Sequence, residues 1–134
     1  MPALPWTAVR SPSAGGPPPA AEVLVMASRF RVRRFRHVLP FFLDALRVHA
    51  QVRGADGALG IALDARPLRR EFLTLSAWRD RESLDAMVGA QPHRGVMARY
   101  REATEESAFT FWTVPADALP VSWDDARARL SAAA

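Results

Sequence analysis

Phe72-Leu73-Thr74-Leu75-Ser76-Ala77-Trp78, followed by Arg79 and Asp80, is the stretch on which the fold turns. Side chains alternate across an extended chain, so Leu73, Leu75 and Ala77 point one way and Phe72, Thr74, Ser76 and Trp78 the other. Both sets carry large apolar groups, as expected of a strand covered on both faces. Asp80 then offers a carboxylate to the free N–H groups of a helix's first turn. Leu84, Met87 and Val88 follow at helical spacing. Pro92 interrupts that helix, and Val96, Met97 and Tyr100 carry a further turn or two.

Working outward, Leu59, Ile61 and Leu63 alternate in the preceding strand, and Pro67 bars strand continuity through the Arg66–Arg70 connection. Before it, Gly54, Asp56 and Gly57 end an amphipathic helix whose stripe holds Phe35, Val38, Leu39, Phe42, Leu46 and His49. Pro40 costs little if that helix begins around Val38 or Leu39, and kinks it if it begins at Arg34. The first strand opens at Glu22, with Val23, Val25 and Ala27 against Leu24, Met26 and Phe30. In the last, Phe109, Phe111 and Thr113 alternate with Thr110, Trp112 and Val114, and Pro115 closes it. Ser122 can cap a short helix from Trp123 to Leu130.

The order β-α-β, β-α-β predicts an α+β, ferredoxin-like βαββαβ domain: a four-stranded antiparallel sheet with two helices on one face. The sheet's other face is apolar too, and an isolated copy would expose it, which soluble chains rarely tolerate. Pairing two sheets face to face in a homodimer removes the patch, over an interface expected beyond ~2,000 Å². Residues 1–21 hold Pro2, Pro5, Pro12, Pro17, Pro18 and Pro19 and read as a disordered leader in which Trp6 is incidental. The domain is then expected over residues 22–115, with a C-terminal extension over 116–134.

Of the 134 residues, 49% are hydrophobic and 24% charged, ample for one packed domain. All 18 basic residues are arginine, which reads as the coding bias of a GC-rich genome and weakens the case that a net charge of +4 marks a polyanion partner. Arg29, Arg31, Arg33, Arg34 and Arg36 are the only cluster; a nucleic-acid surface would interleave it with exposed aromatics, and no nucleic-acid partner is expected. The absence of cysteine excludes thiolate chemistry and disulfides. His37, His49 and His93 are too dispersed for a metal cluster. No apolar run approaches the roughly 20 residues of a membrane span, and no basic-then-apolar leader precedes the domain, so a cytoplasmic protein with no membrane partner is expected.

Read as strand, "W-x-D", helix, "P-H-R", helix, and a strand ending Phe111-Trp112-Thr113-Val114, the chain resembles the antibiotic-biosynthesis monooxygenase superfamily of dimeric α/β barrels. It looks closest to the poorly characterised actinobacterial-type members, over about Glu22 to Val114. The resemblance implies a homodimer with a pocket for a small apolar or aromatic ligand. It admits cofactor-independent oxygenation, heme degradation or no reaction at all. The heme-degrading branch uses a first-strand asparagine, a tryptophan and a histidine. Aligned on Trp78 the last two fall at Met87 and Met97, and the chain contains no asparagine.

Cofactor-free oxygenation needs a dry pocket and a group that deprotonates the substrate. His93 is the candidate base, against the alternative that it merely satisfies a backbone group at a helix restart. Thr74, Ser76, Trp78, Trp112, Tyr100 and Arg29 are the candidate pocket residues. Trp78 and Trp112 also suit core or interface positions, and Arg29 a solvated strand end. His49 reads as a half-buried core residue. No glycine-rich phosphate loop or nucleophile elbow is present, and no cofactor or metal is expected. A non-catalytic metabolite-binding or structural dimer is the alternative.

Overall fold

The computed structural model describes residues 3–8 and 22–133. Five strands, β1 (Ala3–Ala8), β2 (Glu22–Val32), β3 (Ala58–Arg66), β4 (Glu71–Trp78) and β5 (Thr104–Pro115), form one sheet in the order β1-β3-β4-β2-β5. Every neighbouring pair is antiparallel. The helices are α1 (Val38–Arg53), α2 (Arg81–Gly89), α3 (His93–Tyr100) and α4 (Trp123–Ala133). Without β1, the order β3-β4-β2-β5 is that of two interlocked βαβ halves, the expected ferredoxin-like arrangement. Among the described residues no helix is long and apolar enough to cross a membrane.

Local signals landed where the chemistry put them. A short 3₁₀ turn, Phe35–His37, precedes α1, so Pro40 falls in the first turn, where no intrahelical N–H is missing. Asp80 accepts from the Ser83 N–H at 2.8 Å and caps α2; the Ser83 hydroxyl first, and then that N–H, hold its carboxyl below the ordinary carboxylate range. Gly57 has φ +85°, and a Cβ there would strike the Ser83 side chain. After the 3₁₀ turn Pro67–Arg69, Arg70 takes the left-handed φ of 56° that reverses the chain into β4.

Two expectations are corrected. The sheet has five strands, not four, because part of the supposed leader, Ala3–Ala8, pairs with β3 through Thr7 and Ile61 and through Ala8 and Gly60. Pro5 is tolerated because β1 is an edge strand with one unpaired side. Trp6 is not incidental: its indole lies over Gly60, where a Cβ would overlap the ring. The rest of the leader expectation, residues 1–2 and 9–21, lies outside the described residues.

The second correction concerns the sheet face expected to be open. Helices α1, α2 and α3 cover the face carrying Met26, Phe30, Phe72 and Trp78. The opposite face, with Val25, Ala27, Leu73, Leu75, Ala77 and Trp112, is covered within the same chain by Ala126 and Leu130 of α4, joined by Trp6 and Trp123. Ala126 and Leu130, four apart, form one helix face, and burying a leucine there stabilises by about 1.5–3 kcal/mol. Arg127 anchors α4 electrostatically, its guanidinium 2.6 Å from the buried carboxylate of Asp64. Arg129 stacks over Trp112 at 4.6 Å. The C-terminal segment is therefore a layer of the domain, and the open apolar face that argued for face-to-face pairing is absent.

Candidate functional site

Between the sheet and helices α1, α2 and α3 lies a cavity of about 520 Å³. Its floor is the even-numbered face of β2 and β4, with Phe109 and Phe111 of β5 half-exposed at one side. Small residues keep it open: Ala45 on α1, and Ser28 and Ser76 on the floor, leave space that larger side chains would fill. The walls are hydrocarbon, phenyl and thioether almost throughout. The polar exceptions are Ser28, Thr74, Ser76, His49 and His93, with Arg81 and Asp85 paired at 3.0 Å on the exposed side.

The floor hydroxyls satisfy one another. Ser28 and Thr74 are paired across β2 and β4, and their hydroxyls are hydrogen-bonded. Ser76 accepts from the Trp78 indole N–H at 2.9 Å, so this wholly buried ring has its one donor met.

The two histidines differ from these. His49 is 7% exposed, and its Nε2 is buried with no hydrogen-bond partner among the described residues. Burial, and secondly the nearby Arg53 charge, push its pKa below the usual 6.5, so the ring is neutral at pH 7. His93 starts α3, where its backbone N–H donates to Gln51 Oε1 at 2.9 Å while Gln51 Nε2 donates to the Met87 carbonyl at 3.0 Å. One α1 side chain thus fixes the junction between α2 and α3. The His93 Nδ1 lies 3.2 Å from the Val88 carbonyl. Burial lowers its pKa, against the opposing effect of that bond, so Nδ1 carries the single proton of a neutral ring and Nε2 keeps its lone pair.

The cavity brings together His93, Thr74 and Ser76 of the residues singled out from the sequence. Trp78 sits behind Ser76 as a core residue. Tyr100 is buried in the aromatic cluster with Phe41 and Phe72, its hydroxyl donating to Asp44 at 2.8 Å; burial, and then that carboxylate, raise its pKa. Trp112 and Arg29 are corrections: both lie on the opposite sheet face, Trp112 beneath α4 and Arg29 ion-paired with Glu106 at 2.7 Å. Strand alternation sends them there, because Arg29 shares its face with Val25 and Ala27. The cavity is lined by residues of α1, α2, α3 and the sheet of one chain. His49, Ser28, Phe109 and Phe111 were missed as cavity residues. The signal for His49 was present, a titratable side chain on an otherwise apolar stripe, but nothing in its spacing showed that a space opened beside it.

The family described as Domain of unknown function (DUF3291) matches residues 47–134, from mid-α1 through α4. A search of curated proteins found no match. Among solved structures, SnoaB, a cofactor-independent oxygenase from Streptomyces nogalater, is 17% identical and superposes with a TM-score of 0.59, covering 76% of this chain and 100% of its own. Rv0793 from Mycobacterium tuberculosis is 24% identical, TM-score 0.59, covering 72% of this chain and 98% of its own. PA3566 from Pseudomonas aeruginosa is 15% identical, TM-score 0.62, covering 70% and 95%. At these identities the likeness is one of fold.

Proposed function

This chain belongs to the DUF3291 family, whose domain is one of unknown function, and on that premise we propose that its activity resides in the cavity: it binds a small apolar or aromatic molecule and oxygenates it without a cofactor. The observation that carries this reading is His93 lining a largely apolar cavity, its ring neutral and its Nδ1 held at the Val88 carbonyl. The fold shared with SnoaB, itself a cofactor-independent oxygenase, supports it.

In the proposed reaction His93 Nε2 removes a proton from an electron-rich ring system bearing a reactive methylene. The resulting anion passes an electron to dioxygen, and a carbon–oxygen bond closes to a peroxide. Loss of water then leaves a carbonyl, with one oxygen atom in the product and the other in water. The apolar walls exclude the bulk water that would solvate and quench the anion. His49 Nε2 is the second polar group offered to the ligand, and a ring hydroxyl meeting it would remove an unmet buried polar atom.

The test is oxygen uptake with an aromatic quinol or anthrone by wild type and His93→Ala. Uptake that falls by about 10²-fold or more in the variant, with ligand still bound, supports the base role. Ligand binding with no uptake in wild type replaces this reading with non-catalytic metabolite binding.

The homodimer belongs to the same proposal. With α4 over one sheet face, a second copy would dock on the free edge of β5, one of the sheet's two edges, where the half-exposed Phe109 and Phe111 stand beside the cavity. A second chain there would pair the edge's free backbone groups and close the cavity's exposed side.

A further inference from the structure

A second concavity, of about 660 Å³, shares no residue with the cavity and is lined by Arg31, Arg33, Arg34, Phe35, Leu68, Arg69 and Arg70. Two segments far apart in sequence meet there because antiparallel β2 ends where β4 begins. The Val32 N–H donates to the Arg70 carbonyl at 2.9 Å, and the Arg70 guanidinium donates back to the carbonyls of Val32 and Arg33 at 3.1 and 2.6 Å. Arg70 is therefore committed to holding the groove's backbone, from a left-handed φ of 56°.

The other guanidiniums are unequally engaged. Arg31 reaches Glu71 at 3.4 Å and Glu106 at 3.8 Å, while its buried Nε has no partner among the described residues. Arg33 spends only its Nε, on the Glu102 carbonyl at 2.8 Å. Among the described residues neither Arg34 nor Arg69 has a side-chain hydrogen bond or ion pair. Three guanidiniums thus converge without a carboxylate to balance them. Beside them, Phe35 is 63% exposed and Leu68 81% exposed. The Arg70 guanidinium lies 5.6 Å from the Phe35 ring.

We infer that this groove binds a small organic phosphate attached to a planar ring, of the size and kind of a mononucleotide. Arginine forks match phosphate oxygens two at a time, and an exposed phenyl group offers a stacking surface to a flat ring. The volume suits a ligand of that size. A long polyanion fits less well, because Glu102, Glu105 and Glu106 stand at the adjoining start of β5 and would repel a phosphate track running past the groove.

Isothermal titration of the full-length protein with ADP, inorganic phosphate, adenosine and a short oligothymidylate tests this, at about 50 mM and about 300 mM salt. ADP is expected to bind, more weakly at the higher salt, and phosphate to bind less tightly than ADP. The double variant R34A/R69A, at two exposed positions, is expected to weaken ADP by at least about tenfold with an unchanged circular dichroism spectrum and melting temperature. Phe35→Ala is expected to weaken ADP while leaving phosphate binding unchanged. Absence of ADP binding at millimolar concentration and low salt overturns the inference, and so does equal affinity in R34A/R69A. Oligothymidylate binding with ADP silent also overturns it, in favour of a polyanion. None of these outcomes touches ligand binding in the cavity, since the two sites share no residue.

Discussion

At the scale of single residues, the molecule's polar atoms divide into those met and those left open. Ser28 and Thr74 satisfy one another on the cavity floor and Ser76 meets the Trp78 indole behind it, whereas His49 Nε2 has no partner among the described residues. Ser76→Ala removes the acceptor from a fully buried indole N–H, and should lower unfolding free energy by about 1–3 kcal/mol in urea titration. His49 and His93 make stability depend on pH in a defined direction. Burial lowers the pKa of both in the folded chain, so between that value and the ordinary 6.5 the unfolded chain binds more protons. Their contribution is complete above about pH 6.5 and is lost as pH falls through the folded values. Chemical denaturation from pH 8 down to pH 5 should show stability falling through the lower half, with a shallower slope in His49→Phe. An unchanged slope would mean that His49 is not held neutral by its surroundings. Residue types told which groups were chemically interesting, and Asp80 as a cap and His93 at a helix restart were legible from neighbours in sequence. Arg29 and Trp112, candidate pocket residues by type, fall on the face away from the cavity, because polarity alone does not say which side of the sheet a cavity occupies.

At the scale of elements, α4 and β1 decide how much of the sheet one chain can cover. Leu130→Ala leaves a gap between α4 and the sheet and should cost about 2–5 kcal/mol, measured by urea unfolding. Truncation after Pro120 removes the helix altogether. It uncovers Val25, Leu73, Leu75 and Trp112, and the shortened chain should bind a hydrophobic dye and aggregate beyond a dimer, where the full chain does neither. A shortened chain that stayed dispersed and dye-silent would show that α4 is not what shields this face. The strands and helices from Glu22 to Pro115 were legible because their periodicity is local and their punctuation, Gly57, Pro67, Pro92 and Pro115, is strong. Strand β1 was not, because six prolines over residues 1–21 outweigh one short extended stretch, and its partner β3 lies some fifty residues away.

At the scale of the whole molecule, the covered second face moves the question of assembly to the β5 edge. Native mass spectrometry of freshly purified protein is expected to show a dimer carrying a co-purified small molecule. A monomer would remove the edge-paired dimer while leaving the α4-covered sheet intact. An empty dimer would keep the assembly and put the cavity's ligand down to what the source cells supply. Converting Phe109 and Phe111 to serine should shift a dimer toward monomer by size-exclusion chromatography, since an edge stripped of its apolar groups pairs weakly.

The sequence by itself determined the α+β class, the βαββαβ order, the caps and breaks, and which side chains share a strand face. Each of these follows from contacts within a few residues or from the fixed two- and 3.6-residue periods of backbone geometry. Only the tertiary structure decided that α4 and Trp6 close the second sheet face and that a cavity remains between floor and helices. It alone placed His49 on that cavity and Arg29 and Trp112 away from it, and it gathered Arg31, Arg33 and Arg34 with Arg69 and Arg70 into one groove. Those outcomes depend on how distant segments dock and how closely their layers approach, and a periodic pattern records which way a side chain points but not what it meets.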